Sequence, residues 1–156
     1  MKRLLPLLLC LAFLPSASAA ENFIARKSVS LDAAKRLVAA AESEAAKRGL
    51  KVSIAVLDEA GRLLHFSRMD GTSNSTVDVA VRKAEHAVNF RRDTVFHQDL
   101  LSKGNNVVLG LPHSLPIEGG LMLKVGEEVV GAVGVSGAQS SIDAEIARAG
   151  MKAAGF

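Results

Sequence analysis

Between Ser30 and Gly49 apolar residues return at helical spacing, at Leu31, Ala34, Leu37, Val38, Ala41 and Ala45, while Lys35, Arg36, Glu42 and Lys47 hold the other faces. That stripe predicts an amphipathic helix. Ser30 stands at its N-cap, Asp32 in its first turn and Gly49 just past its end. The pattern then changes. Val52–Leu57 (VSIAVL) reads as a buried strand, Asp58-Glu59-Ala60-Gly61 as a tight turn, and Arg62–Arg68 (RLLHFSR) as the returning strand of a hairpin. Alternation, with a bulge allowed, places Leu64, Phe66 and Met69 toward one face and Leu63, His65 and Ser67 toward the other.

After a loop at Asp70–Asn74, Ser75 or Thr76 can cap a second helix running to about Phe90. Its expected inner positions are Val77, Ala80, Val81, Ala84, Ala87 and Val88, mostly small, so it can lie close to a sheet or to a partner helix. Thr94 caps a shorter helix through Leu101, closed by Gly104. Asn105–Gly120 is irregular and rich in Gly and Pro. Leu121–Val125 and Val129–Val135 flank Gly126-Glu127-Glu128 as a second hairpin, with Gly131 and Gly134 leaving room for a close neighbour. Ser140 or Ser141 starts a last helix with Ile142, Ile146 and Ala149 inward and Asp143 and Glu145 near its amino end. Hairpins alternating with helices predict an α/β (α+β) domain with an antiparallel sheet under helical layers, not a doubly wound parallel sheet.

The first residues follow another pattern. Lys2 and Arg3 precede an apolar run, Leu4–Leu14, too short for a permanent membrane span, and Ala17-Ser18-Ala19 supplies the small residues that signal peptidase reads. Residues 1–20 are therefore expected to be a cleavable signal peptide, cut after Ala19 or Ala20, and residues 21–156 a single domain in the periplasm or secreted. Leu9 before Cys10 rules against a lipobox, and Cys10 is the one cysteine of the chain. The exported domain would then have no disulfide, so its stability must come from packing and from oligomerisation. The formal net charge of +3 falls to +1 once Lys2 and Arg3 are removed, so neither a nucleic acid nor, after cleavage, a membrane is expected as partner. With no Trp and no Tyr, a strong ultraviolet or visible band in purified protein would report a bound ligand.

Candidate chemistry is sparse. His65, His86, His97 and His113 fall on four different predicted elements and form no zinc-type spacing. Gly131-x-x-Gly134-x-x-Gly137 sits in and just after a strand without a following lysine, unlike a phosphate loop, and no G-x-S-x-G elbow is present. A polar cluster remains. Arg68, Asp70, Ser75 and Lys83 flank the first hairpin and the second helix; Glu118, Gly119 and Gly120 precede the second hairpin. Arg and Lys at such places can grip ligand carboxylates, or the cluster can be internal, with Asp70 paired to Arg68 or Lys83. His86 follows Lys83 by three residues and precedes Phe90 by four, so all three share a helical face. A neutral imidazole there suits a haem-iron ligand, or packs at an interface; His113, in GLPHSLP, offers the same two choices.

Four stretches, VSIAVLDEAGRLLHFSRMDG, AVRKAEHAVNF with Thr94 soon after, LPIEGGLMLKVGEEVVGAVGVSGA and the DAEIARAG helix, resemble in order and spacing the GlcG/HbpS-like haem-binding family, which includes the carboxy-terminal domain of the PduO corrinoid proteins. The resemblance spans about Val29–Gly155. It implies a profilin-like fold with a five-stranded antiparallel sheet flanked by helices, the fifth strand falling in Asn106–Leu109. It also implies a compact homo-oligomer, often an octamer, and haem or a related tetrapyrrole as ligand in some members. A threonine commonly stands in that family where this chain has His86, and a proline where it has Asp93. The first departure could strengthen a haem ligand or signal a different ligand.

Three functions follow as expectations. As a tetrapyrrole binder, the protein would meet propionates with Arg68, Lys83 or Arg91, lay the ring near Phe66, Met69 or Phe90, and ligate iron through His86 or His113. As an enzyme on a small carboxylated or aromatic metabolite, it would use Lys83, Asp70 and Glu118 for charge stabilisation and acid–base chemistry. As an interaction module, it would bind no small ligand.

Overall fold

A computed structural model describes residues 22–156. The signal peptide expected at residues 1–20, with its cleavage site, lies outside the described residues. Helix α1 spans Leu31–Lys47, with the Ser30 Oγ accepting the Ala33 N–H at its start. Strands β1 (Ser53–Asp58) and β2 (Leu63–Arg68) form the first hairpin. Helices α2 (Ser75–Phe90) and α3 (Thr94–Ser102) follow, then the second hairpin of β3 (Gly120–Val125) and β4 (Glu128–Ser136), and finally α4 (Ser140–Ala154). No helix among the described residues is long and apolar enough to cross a membrane.

The two hairpins join through their inner strands into one antiparallel sheet of order β2-β1-β4-β3. The class expected from the sequence is present, but the described sheet has four strands and not five. Asn106–Gly110, where a fifth strand was expected, forms a short 3-10 helix with only Val108 buried. With one of its three apolar side chains buried, this stretch does not dock on the sheet as a strand, and the Gly104 and Gly110 ends favour turns.

One sheet face carries α1 and α4 over Val52, Ile54, Val56, Val133 and Val135; the other carries α2 over Ala55, Leu57 and Ala132. Small residues set the second spacing. A Cβ on Gly134 would lie 2.0 Å from the Ala80 carbonyl oxygen, so α2 rests on the β4 backbone itself.

Two face assignments change. The β1–β2 register shifts between Val56 and Leu57, so Phe66 pairs with Ala55 and packs toward α2, while Leu64 and Met69 pack toward α1 and α4. A bulge reverses the side of every residue beyond it. On α2 the buried side chains include Lys83 and His86, whereas Val77 and Val81 are half-buried. The α2 N-cap is Asn74, without a side-chain cap bond, and Thr76 instead donates to the Ser73 carbonyl at 2.7 Å.

Candidate functional site

The expected site residues separate into three places. Lys83, His86, Thr94, Gly119 and Gly120 meet inside the molecule. The Lys83 Nζ donates to Asp143 Oδ2 at 2.8 Å and to the Val135 carbonyl at 2.9 Å, with both charged side chains almost wholly covered. Gly119 makes the space: at φ +115° it has no Cβ, which would otherwise lie 2.8 Å from the Nζ. Gly120 approaches still closer, since its Cβ would stand 2.2 Å from the Lys83 carbonyl oxygen. Its N–H donates to the Thr94 Oγ1 at 3.0 Å. Burial pushes the Asp143 carboxyl above its usual range, opposed by Lys83 and by the Ala138 N–H. The cluster locks α2, α4 and the start of β3 together and leaves no room for a ligand.

Arg68 and Asp70 lie elsewhere, at the end of β2. Arg68 donates to the Thr72 carbonyl and to Asn74 Oδ1, both at 2.7 Å. Asp70 is exposed and pairs with neither Arg68 nor Lys83, so the expected internal network has other members. Asp70 borders an open groove of about 600 Å³ along α1, with Glu42, Lys51 and Met69. Two carboxylates against one lysine make that groove unfavourable to an anionic ligand. Arg91 borders a cleft of about 240 Å³ with Ile24, Arg26, Lys27, Glu59 and Glu128. That is smaller than most small-molecule sites, which run from roughly 300 Å³ upward. Glu118 stands apart from both, pairing with Arg148 at 3.8 Å. Lys83, Asp70 and Glu118 therefore do not converge on one reacting centre.

The third place is an outer face made by α3, the 3-10 helix and the segment 111–118. Phe96, Val107, Leu109 and Ile117 are exposed there. Arg92 lies over the Phe96 ring, its guanidinium carbon 4.3 Å from the centroid. Arg82 reaches the same segment and donates to the Ser114 carbonyl at 3.3 Å. His113 is exposed and sits in a turn at φ +61°.

Behind that face an aromatic column runs inward. Phe96 meets His97 at 5.1 Å between centroids, His97 meets Phe90 and His86 at 4.8 Å each, and His86 meets Phe90 at 4.7 Å. His86 is fully buried. Its Nδ1 accepts the Leu115 N–H at 2.9 Å and its Nε2 lies 2.8 Å from His97 Nδ1. Both ring nitrogens are engaged, so in this arrangement neither is free to hold iron.

His97, Asp143, Arg82 and Gln98 were not singled out from the sequence. The sequence places Asp143 only near the amino end of the last helix, and its partner lies 60 residues away. Gln98 fixes the Glu118 N–H at 2.7 Å, again a contact with no local signal.

Comparison with known proteins gives one consistent result. The family model described as haem degrading protein HbpS-like matches residues 29–152. Protein GlcG of Escherichia coli (strain K12) is 36% identical over 103 residues, which cover 66% of this chain and 77% of GlcG. A double mutant of HbpS from Streptomyces reticuli superposes with a TM-score of 0.81 at 31% identity, covering 93% of this chain and 99% of that one. The structure titled PduOC:Heme complex shares the fold, with a TM-score of 0.76 at 23% identity over 81% of this chain and 94% of that one.

Proposed function

The chain belongs to the HbpS-like family, and from that premise we propose that it is an exported protein that binds haem or a related tetrapyrrole. Haem asks three things of a protein: flat apolar contact, a donor for iron, and cations for its propionates. The buried Lys83 cluster meets none of them, because its cation is already paired and its glycines leave no space. The outer face meets all three with Phe96, Val107, Leu109 and Ile117 as apolar surface, His113 as exposed imidazole, and Arg82 and Arg92 as cations. The gathering of these groups on α2, α3, the 3-10 helix and the segment after it is the observation that carries the proposal.

Haem, when bound, supplies the redox chemistry. The chain's residues grip and orient it: the guanidinium groups by charge-assisted hydrogen bonds, and the apolar side chains by excluding water from one ring face. The face is open and not concave, so full burial of a tetrapyrrole needs a second wall. We assign that wall to another copy of the chain, in the homo-oligomer expected from the family resemblance.

Hemin added to ligand-free protein should give a Soret band displaced from that of free hemin. His113→Ala should move the band, and Arg82→Ala should weaken binding roughly tenfold, the worth of one charge-assisted hydrogen bond. A spectrum identical to free hemin at equimolar protein would remove the proposal. Intact mass of material isolated from the periplasm should begin at Ala20 or Glu21; an uncut Met1 would contradict export by a cleaved signal.

A further inference from the structure

The histidine pair behind the outer face has its protons assigned by its partners. A backbone amide only donates, so the Leu115 N–H at 2.9 Å requires a bare Nδ1 on His86. A neutral His86 then carries its proton on Nε2 and donates it to His97 Nδ1, 2.8 Å away. His97 Nδ1 is therefore bare as well. The chain of bonds runs from Leu115 through His86 to His97 and accommodates no added proton. A proton on His86 Nδ1 would face the Leu115 N–H. A proton on His97 Nδ1 would face the His86 N–H. Either one breaks a bond made by the fully buried His86 ring, where a lost partner is costly.

The surrounding charges oppose protonation. Arg92, between α2 and α3, acts on His97. Arg82 of α2 lies at the Ser114 carbonyl. Lys83, one turn before His86, is neutralised by Asp143. Glu118 in the facing segment is turned to Arg148, and Asp93 accepts the Met122 N–H at 2.9 Å. Among the described residues no carboxylate, including those of Glu85 and Asp99 on the flanking helices, is hydrogen-bonded to either ring.

We propose that the His86–His97 pair is an acid-operated latch, which holds segment 111–118 against α2 and α3 at neutral pH and releases it when either ring gains a proton. Elsewhere the segment is tied by Arg82 to Ser114, by Gln98 to the Glu118 N–H and by the Glu118–Arg148 ion pair. Burial, with His97 adding to it, lowers His86 from 6.5 to about 4. Once released, the ring is hydrated and returns toward 6.5. The open form therefore takes up protons first. Closure is at full strength above pH 6.5 and weakens as the pH falls toward 4, by roughly a hundredfold in the open-to-closed ratio. The latch depends only on bonds within the chain, so it stands or falls separately from the identity of the ligand.

Amide hydrogen exchange, corrected for the intrinsic pH dependence of the chemistry, tests it on the purified protein. Leu115 should open roughly a hundredfold more often at pH 4 than at pH 7, while amides of β1 and β4 keep their protection. His86→Asn should retain Leu115 protection at both pH values, because the amide oxygen can replace Nδ1 as acceptor and does not titrate. Nitrogen-15 spectra of the unaltered protein give a second readout: bare Nδ1 on both rings, with His86 titrating below pH 5. Unchanged Leu115 protection, loss of β1 and β4 protection in step with it, or His86 titrating near 6.5 would each overturn the latch.

Discussion

Replacing Lys83 with methionine is expected to cost about 3–5 kcal/mol of unfolding free energy, the range for removing one partner of a buried ion pair. Methionine fills nearly the same volume, so the loss is electrostatic. It strands Asp143, whose Oδ2 then has no cation, and leaves the Val135 carbonyl without its side-chain donor. Both atoms belong to residues that are almost wholly covered, so water does not replace the lost donor. Pairing the change with Asp143→Leu should return a substantial part of the stability, since two apolar groups need no partner. It should not return all of it, because Asp143 Oδ1 also accepts the Ala138 N–H at 2.9 Å. Urea titration of the two variants measures both numbers. A single variant within 1 kcal/mol of the parent would mean that Lys83 reaches solvent.

Gly134→Ala should be comparably damaging for a steric reason. The new methyl carbon would lie 2.0 Å from the Ala80 carbonyl oxygen and 2.7 Å from the Ala84 nitrogen. Both are helix backbone, so no side-chain rotation relieves the overlap and α2 must move off the sheet. Overpacking a core costs about 1–3 kcal/mol where side chains can shift; here about 3 kcal/mol or more is expected, lowering Tm by roughly 10 °C. Gly110→Ala is the control, since nothing lies within 4 Å of its added carbon and it does not occupy the left-handed region. Equal melting of the two variants would show that α2 does not sit on β4 as described.

These two positions mark how far the sequence could be read. The helices and both hairpins were legible because burial imposes a period on them: Leu37, Val38 and Ala41 at helical spacing, and VSIAVL as an unbroken strand. Gly134 and the small residues of the helix each announced a close neighbour, and the structure shows that α2 and the sheet are neighbours of one another. The β2 faces were not, because the bulge opposite Val56 and Leu57 depends on pairing and not on pattern. For Lys83 and His86 the sequence left both a ligand role and an internal one open, because a lone cation or imidazole on a helix face carries no sign of its partner. What buries them arrives late in the chain, Asp143 for Lys83 and Leu115 for His86. His113 was legible as a candidate because its loop carries its own turn signals. Arg82 was not, because its role depends on where the 111–118 segment comes to lie.

Where hemin lies on the protein decides the account. Paramagnetic iron broadens nearby amide and methyl resonances, so spectra recorded with and without one equivalent of hemin map its position. Broadening centred on residues 92–118 and on Arg82, sparing α1 and α4, is the predicted result. Broadening centred on the α1 groove near Asp70 and Met69, or none at all, would contradict it.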